Sequence, residues 1–238
     1  MRPVVDFHSH ILPGVDDGSR SVEESVKMLR MLAQQGIRCV LATPHFYANH
    51  DDPERFLHRR ERAWRKLCEA MGEHPDLPKL ELGAEVYYYP GISDSEILPR
   101  LTFLGGRYLL LEMPHGPWTE AMYREIEGIY VKRGIVPVIA HVDRYIAPFR
   151  TYGIPDRLTQ MPVLVQANAE FFLQRSTAHM AMRMLKDNKI QLLGSDCHDL
   201  KSRKPNMGPA LERIEKKLGK KALEQVHSYE KELFSPQK

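Results

Sequence analysis

Val4-Val5-Asp6-Phe7-His8-Ser9-His10, continued through Val15-Asp16-Asp17-Gly18 and Ser21-Val22-Glu23-Glu24 to Gly36, contains the whole logic of the fold in one unit. Val4 to His8 is a short β-rich run and reads as a strand. Ser21, with Glu24 three positions on, has the form of a capping box, and Val22, Val26, Leu29 and Leu32 fall on one helical face. A helix therefore starts there, and Gly36 ends it. The same alternation repeats along the chain. A second strand covers residues 39–43, and Asp52 with Pro53 starts a charged helix running to about Met71, closed by Gly72 and Pro75. Further strands are expected at 80–85, 108–112, 136–141, 163–168 and 190–195, with helices at 119–133 and 176–187. Met207 to Glu232 reads as one or two helices interrupted at Gly219. Seven candidate strands alternating with helices predict a parallel α/β architecture. No Gly/Ser/Pro linker divides the chain, so residues 1–238 are expected to form a single domain.

Composition excludes several classes of function. With 238 residues, 42% hydrophobic and 27% charged, the chain can bury a full core and carries no low-complexity tract or internal repeat. No apolar run approaches the roughly 18 residues of a membrane span, and the N-terminus enters its first strand without a signal-like segment. A cytoplasmic protein is expected. Cys39, Cys68 and Cys197 form neither a disulfide framework nor a zinc knuckle. The net charge of +3 is modest, and Lys216, Lys217, Lys220 and Lys221 fit a solvated helical face, so nucleic acid is not an expected partner.

The chemistry lies at the strand ends. His8 and His10 follow strand one, His45 strand two, Glu85 strand three, Glu112 strand four, His141 strand five, and Asp196 with His198 strand seven. In closed parallel barrels that end is where strand-following loops converge on one mouth. His8 and His10 are two apart in extended chain and project to one face, and Asp196 and His198 repeat the spacing. Any one such histidine is more often a packed residue than a ligand, but nine candidates are hard to explain by packing, because buried acids cost several kcal/mol unless paired or coordinated. Asp16 and Asp17 both suit the remaining ligand position, and spacing does not separate them. Imidazole and carboxylate without thiolate suit manganese, iron or zinc, and bridging carboxylates suit more than one ion. About four carboxylates against three divalent ions leave roughly +2, which favours a dianion such as a phosphate ester. Such ions polarise phosphoryl oxygens and convert water to hydroxide near neutral pH. Arg144 and Arg203 could complete a clamp on phosphate oxygens, against a bland alternative of surface ion pairs.

His50, His58, His74, His179 and His227 are adequately explained as surface residues. His115, in Met113-Pro114-His115-Gly116-Pro117, could reach the mouth or sit in a turn. Tyr87, Tyr88 and Tyr89 could line a peptide groove, although continued strand is the simpler reading.

From residue 4 to about residue 210 the chain resembles the PHP (polymerase and histidinol phosphatase) superfamily. More closely, Asp6-Phe7-His8-Ser9-His10, Val15-Asp16-Asp17-Gly18, Gly83-Ala84-Glu85-Val86-Tyr87-Tyr88 and Ile139-Ala140-His141-Val142-Asp143-Arg144-Tyr145 are similar to the manganese-dependent protein tyrosine phosphatases of bacterial capsule and exopolysaccharide loci. The resemblance implies a distorted seven-stranded (β/α)7 barrel, TIM-barrel-like, with three divalent ions, manganese first and iron or zinc as alternatives. It implies that His8, His10, Glu85 and Asp196 hold one ion. Glu85, Glu112 and His141 would hold a second, and Asp17, His45 and His198 a third. Arg144 and Arg203 would bind phosphate. The implied substrate is a phosphotyrosine protein, the tail of a bacterial capsule-type tyrosine kinase. The departures from the family pattern at Asp143 and Cys197 fall on positions that ligate no metal, and the Met113 to Trp118 loop is less like the family.

Three rival readings follow. A small-molecule PHP phosphatase, such as a histidinol-phosphate hydrolase, would use the same metals. Cys197 and Arg203 have the Cys-x5-Arg spacing of thiolate-dependent phosphatases, but His198 to Ser202 lacks the glycines that turn N–H groups inward, and Asp196 disfavours a thiolate. A non-catalytic, metal-stabilised kinase adaptor is the third, and the presence of all nine ligands argues against it.

Overall fold

The computed structural model describes residues 4–72, 74–146 and 153–235. Nine strands run through it: β1 (Val5–Ser9), β2 (Cys39–Ala42), β3 (His45–Phe46), β4 (Lys79–Leu82), β5 (Glu85–Tyr87), β6 (Tyr108–Glu112), β7 (Val136–Ile139), β8 (Leu164–Asn168) and β9 (Leu192–Gly194). The helices are α1 (Val22–Gln34), α2 (Pro53–Met71), α3 (Glu120–Arg133), α4 (Ile154–Leu158), α5 (Ala169–Leu173), α6 (Ala178–Lys186), α7 (Met207–Leu218) and α8 (Lys220–Phe234). All named strand pairs are parallel, in the orders β1-β2-β4 and β3-β5-β6-β7-β8-β9. This is an α/β fold whose parallel sheet forms a half-barrel.

Two of the expected strands differ: 39–43 ends at Ala42 and is followed after Thr43-Pro44 by the additional short β3, and 80–85 is divided at Gly83-Ala84 into β4 and β5, which gives nine short strands in two sheets among the described residues. Pro44 has no N–H to donate and favours a bend rather than a ladder position. Backbone bonds nonetheless cross the break, from Gly83 N to Ala42 O at 3.0 Å and from Glu85 N to Pro44 O at 3.0 Å. Buried Arg60 braces the same corner, donating to Gly83 O at 3.0 Å and Arg100 O at 2.8 Å. At the other edge, β1 and the segment after β9 are tied by Asp196 N to His8 O at 2.8 Å and His10 N to Cys197 O at 2.9 Å. Asp6 Oδ1 adds a bond from Ser195 N at 2.8 Å.

Alternation along the strands sorts the core into two layers. Val5, Phe7, Leu41, Leu110, Val138 and Leu192 cluster on one face, while Val40, Leu109, Leu111, Ile139, Val165 and Leu193 join the larger cluster beneath the helices. Both β1 and β6 are buried along their whole length; β6 is an apolar run ending in Glu112, while β1 alternates Val5 and Phe7 with the buried polar Asp6, His8 and Ser9. Leu233 of α8 joins the first cluster, and Glu230 accepts from the N–H groups of Val4 and Val5 at 3.0 Å. The last helix therefore covers the N-terminal ends of the strands and leaves the C-terminal ends open.

Helix starts follow the expected chemistry. Ser21 accepts from Glu24 N at 3.3 Å, while the Glu24 carboxylate accepts from Arg20 N rather than closing the box on Ser21. Asp52 accepts from Arg55 N at 2.8 Å ahead of Pro53. The surface assignment of His227 is overturned. It lies on the inward side of α8, 8% exposed, with Nδ1 2.8 Å from Glu230 Oε2, because Glu230 is itself held inside by the start of β1.

Candidate metal centre

All nine expected ligands meet at the C-terminal ends of the strands. His8 and His10 leave β1 with Nε2 atoms 3.1 Å apart. The parallel register of β3 with β5 sets His45 beside Glu85. Glu85 is buried at the middle of the group: Oε2 lies 3.2 Å from His8 Nε2, 3.3 Å from His10 Nε2 and 2.9 Å from His45 Nδ1, and Oε1 lies 2.8 Å from His141 Nε2. Glu112 ends β6 with Oε1 3.4 Å from His141 Nε2 and Oε2 4.0 Å from His45 Nδ1. Asp17 projects outward, with Oδ1 3.5 Å from His45 Nε2 and 3.4 Å from His198 Nε2. Asp196 Oδ1 lies 3.6 Å from His8 Nε2 and 3.4 Å from His10 Nε2.

Whether these residues suit metal ions can be judged from their unshared atoms. Glu85 Oε2, His45 Nδ1 and His198 Nε2 are buried and make no aligned hydrogen bond, a state that costs about 1–3 kcal/mol per group without a partner. Two ring nitrogens at 3.1 Å are also at the separation of neighbouring donors on one ion, since bonds of about 2.1 Å at right angles place donors about 3 Å apart. Three groupings have donor atoms close enough for an ion: His10 with Asp17, His45 and His198; His8 with His10 and Glu85; and His45 with Glu85 and Glu112. His10, His45 and Glu85 each belong to two of them, so the residues fit more than one cation.

Asp16 and Asp17 separate clearly. Asp16 turns inward and its Oδ2 is 2.7 Å from His10 Nδ1, while its oxygens accept from Gly18 N and His45 N at 3.0 Å. Asp17 has a 67% exposed side chain facing His45 and His198. Gly18 lets the loop close over β1, since a Cβ there would meet His10 O at 2.2 Å.

Around the ligands is a layer of residues that the sequence reading did not single out. Gln166 Oε1 lies 3.4 Å from His8 Nδ1 and accepts from His141 N at 2.6 Å. Asn168 donates to Asp196 Oδ2 at 2.9 Å. The Tyr145 hydroxyl lies 3.2 Å from His141 Nδ1. Each group fixes the far side of a ligand and so aims its other donor inward. The signal for the amides was legible: Gln166 and Asn168 alternate in β8, and strand six was the one strand end that lacked a candidate. His141 and Asp196 also have positive φ, +30° and +53°, a conformation that L side chains rarely adopt and that costs about 1–3 kcal/mol.

Charge follows this geometry. Burial would raise Glu85 and Asp196, but the surrounding imidazoles, His8 foremost, hold both well below the usual carboxylate range. Burial would lower His10 and His141, but Asp16 pushes the first well above its ordinary value, and Glu112 with Glu85 lifts the second to about 9. His198 is lowered by burial and by the adjacent His10.

Arg144 and Arg203 converge on Asp196, with Nη2 atoms 2.5 Å from Oδ2 and 2.8 Å from Oδ1. Both line a cavity of about 420 Å3 beside the ligands, with Ser202 and Lys204. His115 stays outside the ligand groupings, exposed, with Nδ1 3.3 Å from Arg144 O. Cys197 is fully buried and its thiol is pushed well above its ordinary value by burial and by Asp6, so no thiolate faces the cavity.

A family model described as capsular polysaccharide synthesis, CpsB/CapC, matches residues 4–233. The chain belongs to the CpsB/CapC family. Among its relatives, the tyrosine-protein phosphatase CpsB of Streptococcus pneumoniae is 29% identical over 233 residues, covering 94% of each chain. The tyrosine-protein phosphatase YwqE of Bacillus subtilis strain 168 is 28% identical, covering 91% of this chain and 85% of the relative. A structure from a crystallographic study of YwqE and the S. pneumoniae CpsB, titled as unique metal-dependent tyrosine phosphatases, superposes with a TM-score of 0.84 at 23% identity, covering 97% of this chain and 94% of the other. In this CpsB/CapC chain no described helix is long and apolar enough to cross a membrane.

Proposed function

We propose that the chain is a metal-dependent protein tyrosine phosphatase, a phosphoric monoester hydrolase acting on phosphotyrosine. It is read as a single catalytic domain over residues 1–238, with the two sheets as arcs of one distorted seven-stave barrel. The reading extends to a cytoplasmic enzyme acting on the tail of a bacterial tyrosine kinase in capsule or exopolysaccharide synthesis.

The observation that carries it is the cluster of buried donors at the strand ends, in which Glu85 Oε2, His45 Nδ1 and His198 Nε2 crowd together without an aligned hydrogen bond. The reading assigns three divalent ions, with manganese preferred: His8, His10, Glu85 and Asp196 around one, Glu85, Glu112 and His141 around the second, and Asp17, His45 and His198 around the third. Bound there, the ions would polarise phosphoryl oxygens and lower the pKa of water to near neutrality. The chain's own residues orient and bind. Asp16, Gln166 and Tyr145 hold His10, His8 and His141 with their inner nitrogens aimed at the cluster. Arg144 and Arg203, side by side at the cavity wall, can move from Asp196 to phosphate oxygens, for which a guanidinium supplies paired donors. The phenol leaving group, with pKa about 10, needs less protonation than an alkoxide would.

The test is chelation followed by Mn2+ addition, with metal content of the untreated protein measured and phosphate release followed on a phosphotyrosyl peptide and on histidinol phosphate. Release from the peptide that depends on metal is expected. A higher kcat/KM on histidinol phosphate would replace the substrate assignment, and full activity without transition metal would end the mechanism.

A further inference from the structure

Next to His45 and Glu85, just beyond the ends of β3 and β5, lies a second cavity of about 380 Å3 that no step above uses. Its walls are Tyr47, Asn49, His50, Tyr87, Tyr88 and Tyr89. Its position follows from strand geometry. β3 and β5 pair with His45 opposite Glu85. Tyr47 and Tyr87 each stand two residues beyond one of these, and side chains two apart in extended chain share a face. The two rings therefore stand one repeat, roughly 6–7 Å, outward of the two ligands. The Tyr47 ring lies 5.2 Å from the His45 ring and 5.7 Å from the Tyr87 ring, both within the range of favourable aromatic pairs. Both tyrosines remain partly exposed. A tilted pair of phenol rings therefore stands directly outward of two of the metal-binding donors, His45 and Glu85.

We propose that Tyr47 and Tyr87 form an aryl subsite that takes the ring of an aryl phosphate ester whose phosphoryl group sits over the cluster. This rests on the phosphatase reading and names the side chains that would select the aromatic ring of its substrate. An aliphatic phosphate would leave the two rings uncovered and forgo their contact, whereas a phosphotyrosyl side chain would fill the space next to them. The cavity is also larger than one ring needs, and its polar rim, Asn49 and His50, leaves room for the residue adjoining the phosphotyrosine in a peptide.

The experiment uses the full chain loaded with Mn2+ and titrated calorimetrically with phenylphosphonate and with methylphosphonate. These share the dianionic head and differ by the ring, and neither is hydrolysed. Expected is a preference for phenylphosphonate of roughly tenfold, the scale of one good aromatic contact. Tyr47→Ala and Tyr87→Ala should each remove most of it while methylphosphonate binding stays within about twofold, and Tyr47→Phe should keep it. Asn49 is an exposed rim residue, so Asn49→Trp narrows the cavity without disturbing the core and should weaken phenylphosphonate alone. Equal affinity of the native protein for both ligands, or a preference that survives both alanine variants, overturns the subsite. So does a parallel loss of methylphosphonate binding. Phosphate release is followed separately on an aryl phosphate: no release with the preference intact refutes the phosphatase reading and leaves the subsite standing.

Discussion

Gly194→Ala is the sharpest steric test of the centre. Gly194 ends β9 alongside β1, and a Cβ there would sit 2.6 Å from His8 Cβ, 2.9 Å from His8 N and 2.8 Å from Gln166 Nε2. Its φ is not positive, so alanine suits the backbone and the effect is contact alone. An ordinary contact needs about 3.4 Å, so His8 Cβ must retreat by about 0.8 Å and Gln166 Nε2 by about 0.6 Å. Neither can do so by rotating away. His8 Cβ moves only with β1, which Asp196 N holds at 2.8 Å through His8 O, and Gln166 Oε1 is engaged by His141 N at 2.6 Å. Overpacking of this kind costs about 1–3 kcal/mol. In a chain of this length that corresponds to a fall in Tm of roughly 2–4 °C per kcal/mol. The same shift displaces His8 within the cluster, and a misplacement near 1 Å in a catalytic array costs on the order of 100-fold in rate. Thermal melts with and without Mn2+, a Mn2+ titration and phosphate release from an aryl phosphate measure the three effects. A variant with native Tm, native Mn2+ affinity and native rate would refute the close packing of Gly194 on His8.

Asp16→Asn and Asp17→Asn should both lower activity but differ in cause: the first frees His10 Nδ1 and the loop, lowering Tm as well, while the second reduces Mn2+ affinity with little change in Tm. Comparing chelated and Mn2+-loaded melts separates them, and equal Tm losses would contradict the assignment. Cys197→Ser should retain most activity and His198→Ala should lose at least about tenfold, as a lost ligand or its support typically does; thiol-dependent turnover with a dispensable His198 would reverse the mechanism. Arg60→Met should destabilise by about 1–3 kcal/mol in denaturant unfolding, since two carbonyls at the β4–β5 corner lose their donor. Chelator-treated protein should lose stability as pH rises from 6.5 toward 9. The folded pKa of His141 is raised to about 9 by Glu112 and Glu85, so its stabilisation is complete below 6.5 and lost as the ring deprotonates. Mn2+ affinity should climb over the same interval, because binding competes with those protons; a flat Tm in chelator between pH 6.5 and 9 would contradict the charge assignment.

The ligands were legible because each lies beside a local signal. His8 and His10 repeat at period two after an apolar run, and Glu85, Glu112 and His141 each close or follow a β-rich segment, so counting strand ends brought them together without coordinates. The breaks at Pro44 and Gly83 were harder to see. A proline or glycine near a strand end marks a turn as readily as a kink, and only the Gly83 N to Ala42 O and Glu85 N to Pro44 O bonds show that the pairing resumes beyond the bend. His227 was misread for a related reason: helical periodicity places it near the buried side, but its burial depends on Glu230 reaching the first N–H groups of β1, a contact across 226 residues.

The supporting groups were the least visible, apart from the alternating amides of β8, and the reason lies in how they act. A ligand needs a particular residue type, so its identity carries information, whereas a hydrogen-bond partner behind a ligand can be an amide, a phenol, a carboxylate or a backbone carbonyl. Here His8 uses Gln166, His10 uses Asp16, His141 uses Tyr145 and His198 uses Asp196 O. Four imidazoles are therefore aimed by four different chemistries, and no pattern in the chain marks them as equivalent. The strained backbone of His141 and Asp196 points the same way. Those conformations are held by Gln166 Oε1 on His141 N and by His8 O on Asp196 N, bonds that exist only once β7, β8, β9 and β1 lie side by side. The sequence thus carries which groups can bind a cation, while the assembled sheet decides where their lone pairs point.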